Sequence, residues 1–162
     1  MPTPAELTDR FWSALKSDRT VMLGLVGVED GLSQPMTALV DDDAAPGTIW
    51  IFSSVETDLV QEAGARHPAL LHFAAKGHGL FATVEGDLVA DNDREMIERL
   101  WNPFVAAWYQ GGKDDPKLQL LRFEPEHAKI WLNESSAFAG LKVLMGRDPK
   151  QDYNGKVAEV RL

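Results

Sequence analysis

The chain has 162 residues, 44% of them hydrophobic, with 16 Lys plus Arg against 25 Asp plus Glu for a formal charge of −9. That length suits one domain with a real core, and the acidic balance argues against a nucleic-acid partner, which needs a basic footprint. Cysteine is absent, which excludes disulfides, thiolate nucleophiles and zinc–thiolate sites.

The N-terminal MPTPAELTDRFW has neither the charged nor the apolar region of a signal peptide, and no apolar run approaches the length of a membrane span. A soluble, cytoplasmic protein with no membrane partner is expected. The charge leaves room for a small anionic ligand, because a helix N-terminus and one or two local cations can hold a phosphate on an acidic protein.

Glu6 to Lys16 carries Leu7, Phe11, Trp12 and Leu15 at helical spacing, and Thr3 stands three residues before Glu6 as in a capping box. Thr20 to Val28 reads as a strand, Glu29-Asp30-Gly31 as a turn, and Leu32 to Val40 as the second strand of a hairpin. Pro35 lacks an N–H and belongs at a strand edge or bulge. After the polar loop Asp41 to Gly47, Thr48 to Ser53 forms a third strand, and Thr57 to Arg66 fits a short helix ended by Pro68.

Ala69 to Ala75 and Leu80 to Ala90 are strands around the turn Lys76-Gly77-His78-Gly79. Asp91 is placed as the cap of a helix with Arg94, Glu95, Glu98 and Arg99 on its wet side and Met96, Ile97 and Leu100 on its dry side. Trp101 to Gly112 continues as irregular or helical chain. Leu118 to Phe123 and Ala128 to Leu132 read as two further strands separated by Glu124 to His127, and Ser136 to Met145 as a helix.

The order predicts a mainly β (α+β) protein, an antiparallel sheet closed into a small barrel with flanking helices. It forms one domain over residues 1–146, followed by a polar, loosely held tail over 147–162.

No HExxH, GxSxG, P-loop or GxGxxG is present, and His67, His72, His78 and His127 show no metal-site spacing. No metal is expected, and no catalytic residue is assigned. The stretch TIWIFSSVETDLVQEA is more informative, because it delivers Ser53, Ser54 and Thr57 from a buried strand to the start of a helix. Two readings stay open: Thr57 simply caps the helix, or the hydroxyls and free N–H groups await an anion such as phosphate. The alternation of Gln34 and Met36 with Thr37, beside Trp50 and Phe52, suggests a platform with polar groups at one edge, suited to a flat heteroaromatic ring.

The segments SQPMTALVDDD…GTIWIFSSVETDLV, HFAAKGHGLFATVEGDL and ERLWNPFVAAWYQGGKDDPKLQLLRFEPEHAKIWL are similar to the general stress protein 26 type within the pyridoxamine 5′-phosphate oxidase-like superfamily. The match runs roughly from Glu6 to Leu132, and the Trp-Asn-Pro-Phe and Gly-Lys-Asp-Asp-Pro pieces are its more specific parts.

The resemblance implies a split β-barrel that forms a homodimer with FMN at the two dimer clefts. Gln34, Met36 and Thr37 would lie along the isoalloxazine ring, Phe52, Ser53 and Ser54 along the ribityl and phosphate region with Thr57, and Trp131 would approach from the partner chain. The family commonly has Arg at the place of Gln34 and Lys at that of Leu59, and losing one charge-assisted contact weakens a phosphate site by about 1.5–3 kcal/mol. Lys76 is the expected replacement cation, with Arg66 as the other choice.

The functional expectation is an FMN-binding general-stress-type protein, an FMN-dependent oxidoreductase on an unidentified small molecule with NAD(P)H or oxygen. Pyridoxamine phosphate oxidase activity is not expected, since the Arg- and His-bearing C-terminal signature of those enzymes is missing. The alternatives are a non-catalytic flavin carrier or sensor, and a flavin-free barrel serving as an interaction module. Deazaflavin or haem as ligand also stays open, with His72 and His78 as the histidines to consider.

Overall fold

Helix α1 (Pro4–Asp18) begins at the capping box: Thr3 Oγ1 accepts the Glu6 N–H at 3.2 Å, and the Glu6 carboxylate accepts the Thr3 N–H at 2.6 Å. Its apolar stripe, Leu7, Phe11, Trp12 and Leu15, is buried, as the helical spacing requires. The structure, a computed structural model, describes residues 2–29, 31–133 and 157–162. The helix read from the sequence over Ser136 to Met145 lies outside the described residues.

Among the described residues seven strands follow: β1 (Thr20–Leu25), β2 (Gln34–Thr37), β3 (Ile49–Ser54), β4 (Arg66–Ala74), β5 (Leu80–Ala90), β6 (Leu118–Leu132) and β7 (Val157–Arg161). All their pairings are antiparallel, in the order β2-β1-β4-β5-β6-β3, with β7 also on β6. Three short helices, α2 (Asp58–Ala63), α3 (Arg94–Leu100) and α4 (Pro103–Ala106), flank the sheet. The architecture is an antiparallel split β-barrel of the α+β class. Among the described residues the sheet does not close by a full ladder, only by a bridge between Leu39 and Trp50, in contrast to the simple closed barrel expected from the strand order.

Four local differences from the sequence reading have physical causes. Pro68 lies inside β4 and does not end a helical region: β1 stops at Leu25, which faces Ala69, so no ladder donor is needed from Pro68, whose carbonyl still accepts the Val26 N–H. The cap of α3 is Asp93, whose carboxylate accepts the Met96 N–H at 3.0 Å. Asp91 still belongs to the sheet margin, where its N–H donates to the Leu120 carbonyl.

The third difference is β6, which is one strand of 15 residues where two were expected. Its Glu124–His127 stretch is where one edge changes partner, from β3 (Leu118 to Phe123) to β7 (His127 to Trp131). A register shift against β5 absorbs the extra residue there. Gly86 sits at that shift because a Cβ would collide with the Glu124 carbonyl oxygen. Finally, Val157–Arg161, read from the sequence as part of a polar tail, pairs with β6, and Val160 joins the core.

The core has two parts, one on each side of β3. Ile49 and Ile51 point inward with Phe11, Leu71 and Phe123. Trp50 points outward to a second cluster with Leu120, Ile97, Val105 and Tyr109, against which Phe52 packs. A strand of period two between two apolar layers reads as the unbroken run IWIF.

Candidate functional site

Strands β2 and β3 end the sheet order on opposite sides, and just beyond β2 the two edges meet. Leu39 and Trp50 exchange both N–H···O bonds at 2.8 Å. Extending that antiparallel register sets Thr37 beside Phe52, Met36 beside Ser53 and Pro35 beside Ser54. Among the described residues no ladder joins the strands beyond the bridge, so the facing edges keep unpaired backbone groups. Six of the sequence-predicted residues lie on the two edges of this split, Gln34, Met36 and Thr37 on β2 and Phe52, Ser53 and Ser54 on β3. Gln34 and Met36 are half-buried, Met36 packs on the inner core, and Thr37 shares the exposed face with Pro35.

The turn from β3 into α2 closes one end of the split. Thr57 is the N-cap: its Oγ1 accepts the Val60 N–H at 3.3 Å and donates to the Ser54 carbonyl at 2.8 Å. Ser54 Oγ accepts the Glu56 N–H at 3.2 Å, and Ser53 Oγ lies 3.4 Å from Thr57 Oγ1. The capping reading of these hydroxyls is thus realised. Each retains a lone pair or a rotatable hydrogen, so capping does not exhaust them as ligand contacts.

Behind the turn, Tyr109 donates its hydroxyl to the Ser53 carbonyl at 2.7 Å. Ser53 is the one buried polar residue among those described, 8% exposed. Burial, with a lesser contribution from the Asp115 carboxylate, pushes the Tyr109 phenol up to about 12. Phe52, Trp101 and Tyr109 form a triangle of rings with centroids 5.9 to 6.4 Å apart. The sequence reading missed Tyr109. The available signal was a hydroxyl-bearing aromatic next to Trp108 in an otherwise apolar stretch.

The cations are arranged differently from expectation. Leu59 is 7% exposed and belongs to the inner core, where an apolar side chain stands in place of the cation common at this position. Arg66 is engaged by Asp87 at 2.8 Å and Glu124 at 2.7 Å, which raise its pKa. Lys76 and Trp131 stand at the far end of the sheet. Ser54 pairs with Leu118, whereas Trp131 pairs with Phe81 and Phe81 with Ala74, about 40 Å further along β6 at the usual rise per residue.

There the Lys76 N–H donates to the Asp18 carboxylate, and Lys129 Nζ lies 5.5 Å from the Trp131 ring centre. Lys76 and Trp131 therefore stand away from the Ser53–Thr57 end of the split in their own chain, while Lys76 reaches toward its β2 end through Asp18, the neighbour of Arg19, whose carbonyl accepts the Ala38 N–H. The cation that does stand beside the turn is Lys117, also missed from sequence. Its carbonyl accepts the Val55 N–H at 2.9 Å and its Nζ pairs with Glu56 at 3.1 Å.

His72 is exposed on the face opposite Leu71 and Phe73, and His78 stacks on Phe81 at 5.9 Å. Among the described residues no group of three or more His, Asp or Glu forms a metal site, and no helix is long and apolar enough to cross a membrane.

Comparison with known proteins bears on this geometry. The family described as Pyridoxamine 5′-phosphate oxidase like matches residues 6–154. General stress protein 26 of Bacillus subtilis is 31% identical over 87 residues, which are 51% of this chain and 61% of that relative's length. A solved structure described as the general stress FMN/FAD binding protein of Xanthomonas citri is 55% identical, with a TM-score of 0.75 over 82% of this chain and 92% of that one. Another, described as a general stress protein 26 from Jannaschia sp. CCS1, is 33% identical with a TM-score of 0.83 over 98% of this chain and 99% of that one.

Proposed function

The chain belongs to the Pyridoxamine 5′-phosphate oxidase like family, and from that premise we propose that it is a flavin-binding general-stress-type protein that holds FMN in the split between β2 and β3. The observation that carries the reading is the split itself, two strand edges that meet at Leu39–Trp50 and then part without a ladder. The residues present fit a flavin ring. Met36 and Phe52 supply half-buried apolar surface, and the Gln34 amide and free strand-edge groups supply hydrogen bonds for a heteroaromatic rim. Ser53, Ser54 and Thr57 would take the polar tail, with Lys117 as the cation at that end. The Xanthomonas citri relative, described as binding FMN or FAD, supports the same cofactor class.

Bound flavin would supply the electron transfer, and the chain's own residues supply position and electrostatics. Tyr109 fixes the Ser53 carbonyl and with it the end of β3. Its raised pKa keeps it a donor, so it is no base at neutral pH. In a homodimer, Lys76 and Trp131, which share the far end of the sheet, would serve the partner's split. The reaction class is oxidation or reduction of a small molecule, with NAD(P)H as electron donor. A non-catalytic flavin carrier is the second reading, favoured by one observation: the hydroxyls at the split are tied into the turn, and Tyr109 is committed to Ser53.

The test is the visible spectrum of protein loaded with FMN and then desalted, followed by anaerobic NAD(P)H. A flavin spectrum that survives desalting is expected, and its bleaching by NAD(P)H separates enzyme from carrier. A colourless protein after desalting would overturn the proposal.

A further inference from the structure

Beyond the Leu39–Trp50 bridge, at the end of the split away from Ser53 and Thr57, lies a cavity of about 320 Å³. Pockets for small organic ligands start at roughly this size. Three basic side chains line it: Lys16 and Arg19 from the C-terminal end of α1, and Arg99 from α3. Leu39, Leu100 and Trp101 supply apolar wall. In a chain of net charge −9 such a gathering of cations is notable.

Their partners differ. Lys16 pairs with Asp42, the one acidic side chain on the cavity wall, at 3.2 Å. Arg99 is held by Asp41 at 2.7 Å and Asp43 at 3.5 Å, and lies 3.9 Å from Glu95. Arg19 has no carboxylate partner among the described residues. Its Nε donates to the Lys16 carbonyl at 3.3 Å, and its two terminal nitrogens make no hydrogen bond there.

A cation at a helix C-terminus is ordinarily explained by the helix dipole. That does not explain the backbone of Arg19, which sits at φ 58, ψ −13, a region that favours glycine or asparagine at this cap position. The conformation is fixed by two bonds that glycine would make equally well: the Arg19 N–H to the Leu15 carbonyl at 2.9 Å, and the Ala38 N–H to the Arg19 carbonyl at 2.6 Å. The long side chain adds backbone strain, and its return in the fold is the single bond from Nε to the Lys16 carbonyl, which leaves the two terminal nitrogens unused.

We propose that this cavity binds a small organic anion, whose phosphate or carboxylate is held by the Arg19 fork with Lys16 and whose apolar body lies against Leu39, Leu100 and Trp101. Guanidinium geometry suits either oxyanion. Asp42 is the internal competitor: its exposed carboxylate leaves Lys16 when the ligand enters. Because the cavity adjoins the split, the anion would stand beside a flavin, a placement that rests on the function proposed above; the anion site itself does not.

Calorimetric titration of the flavin-free full chain with phenyl phosphate, and separately with benzoate, tests it. Saturable binding of one probe per chain is expected; phenyl phosphate alone marks a phosphate ester as the ligand, benzoate alone a carboxylate. Arg19→Gly should weaken that binding about tenfold or more, while the thermal midpoint holds or rises and FMN binding is retained. Asp42→Ala should tighten it. If Arg19→Gly fails to fold, Arg19→Asn, which also tolerates the conformation, replaces it.

No saturable heat with either probe overturns the proposal, as do native affinity in the Arg19 variant and one-for-one displacement of the probe by FMN. Failure of FMN to bind, with the probe still held through Arg19, counts only against the flavin reading.

Discussion

The two faces of β3 behave differently. On the inner face Ile49 and Ile51 are sealed among α1 and the other strands. On the outer face Trp50 and Phe52 meet a thinner layer of short helices, where Phe104 and Trp108 remain 85% exposed. The sealed face holds the barrel together. The outer layer sits over the free edge of the sheet, and both candidate ligand regions, the split and the cavity, adjoin it. The first four residues of β3 therefore pack a sealed core on one side and the layer beside the proposed ligand regions on the other.

That contrast is breakable by substitution. The largest effect is expected inside: Phe123→Ala should cost about 3–5 kcal/mol, read as a lower denaturant midpoint at unchanged slope. An equal loss of FMN affinity in the folded fraction would show that the faces are not separable. Next comes Tyr109→Phe, which removes the phenolic donor to the Ser53 carbonyl and should cost about 0.5–1.5 kcal/mol, with weaker FMN binding.

Tyr109 also predicts a pH dependence. Its folded pKa of about 12 lies above the ordinary value of 10, so the folded state holds its proton more tightly. The resulting stability is complete below pH 10 and is lost as pH rises toward 12. Tyr109→Phe should flatten that part of an alkaline unfolding profile, and an unchanged profile would exclude Tyr109 as its source. Thr57→Ala should cost about 1 kcal/mol through loss of the cap, and Thr57→Ser should restore most of it. The smallest change is expected for the double variant Phe104→Ser, Trp108→Ser, within about 0.5 kcal/mol of native for the monomer. A larger loss would mean that these exposed rings are packed in solution.

Much of the fold was legible because local chemistry and tertiary context agree there. The Thr3–Glu6 capping box and the stripe from Leu7 to Leu15 determine α1, and alternation marks β5. Legibility failed where a neighbouring strand decides. Pro68 is tolerated in β4 only because β1 ends beside it, and Glu124–His127 continues as strand because β7 takes over the edge that β3 leaves. Val157 and Val160 are the local hint of that pairing, outweighed in the sequence by the polar stretch at 147–156 before them.

At the site, Gln34 through Thr37 and Phe52 through Ser54 were readable as two facing strands. Lys117 and Tyr109 were not, because they reach the turn through backbone pairing and a loop far along the chain. The expectation of a cation at Lys76 rested on barrel turns gathering at one rim; β4 and β5 carry that turn away from Ser54 and toward Asp18, at the β2 end of the split.

The central claim is that flavin occupies the β2–β3 split, and hydrogen–deuterium exchange with and without FMN tests it most directly. The account predicts slower exchange on FMN addition at the amides of Gln34, Met36 and Thr37 and from Phe52 to Thr57, with β4 and β5 unchanged. Unchanged exchange in both strands while FMN is demonstrably bound would contradict it.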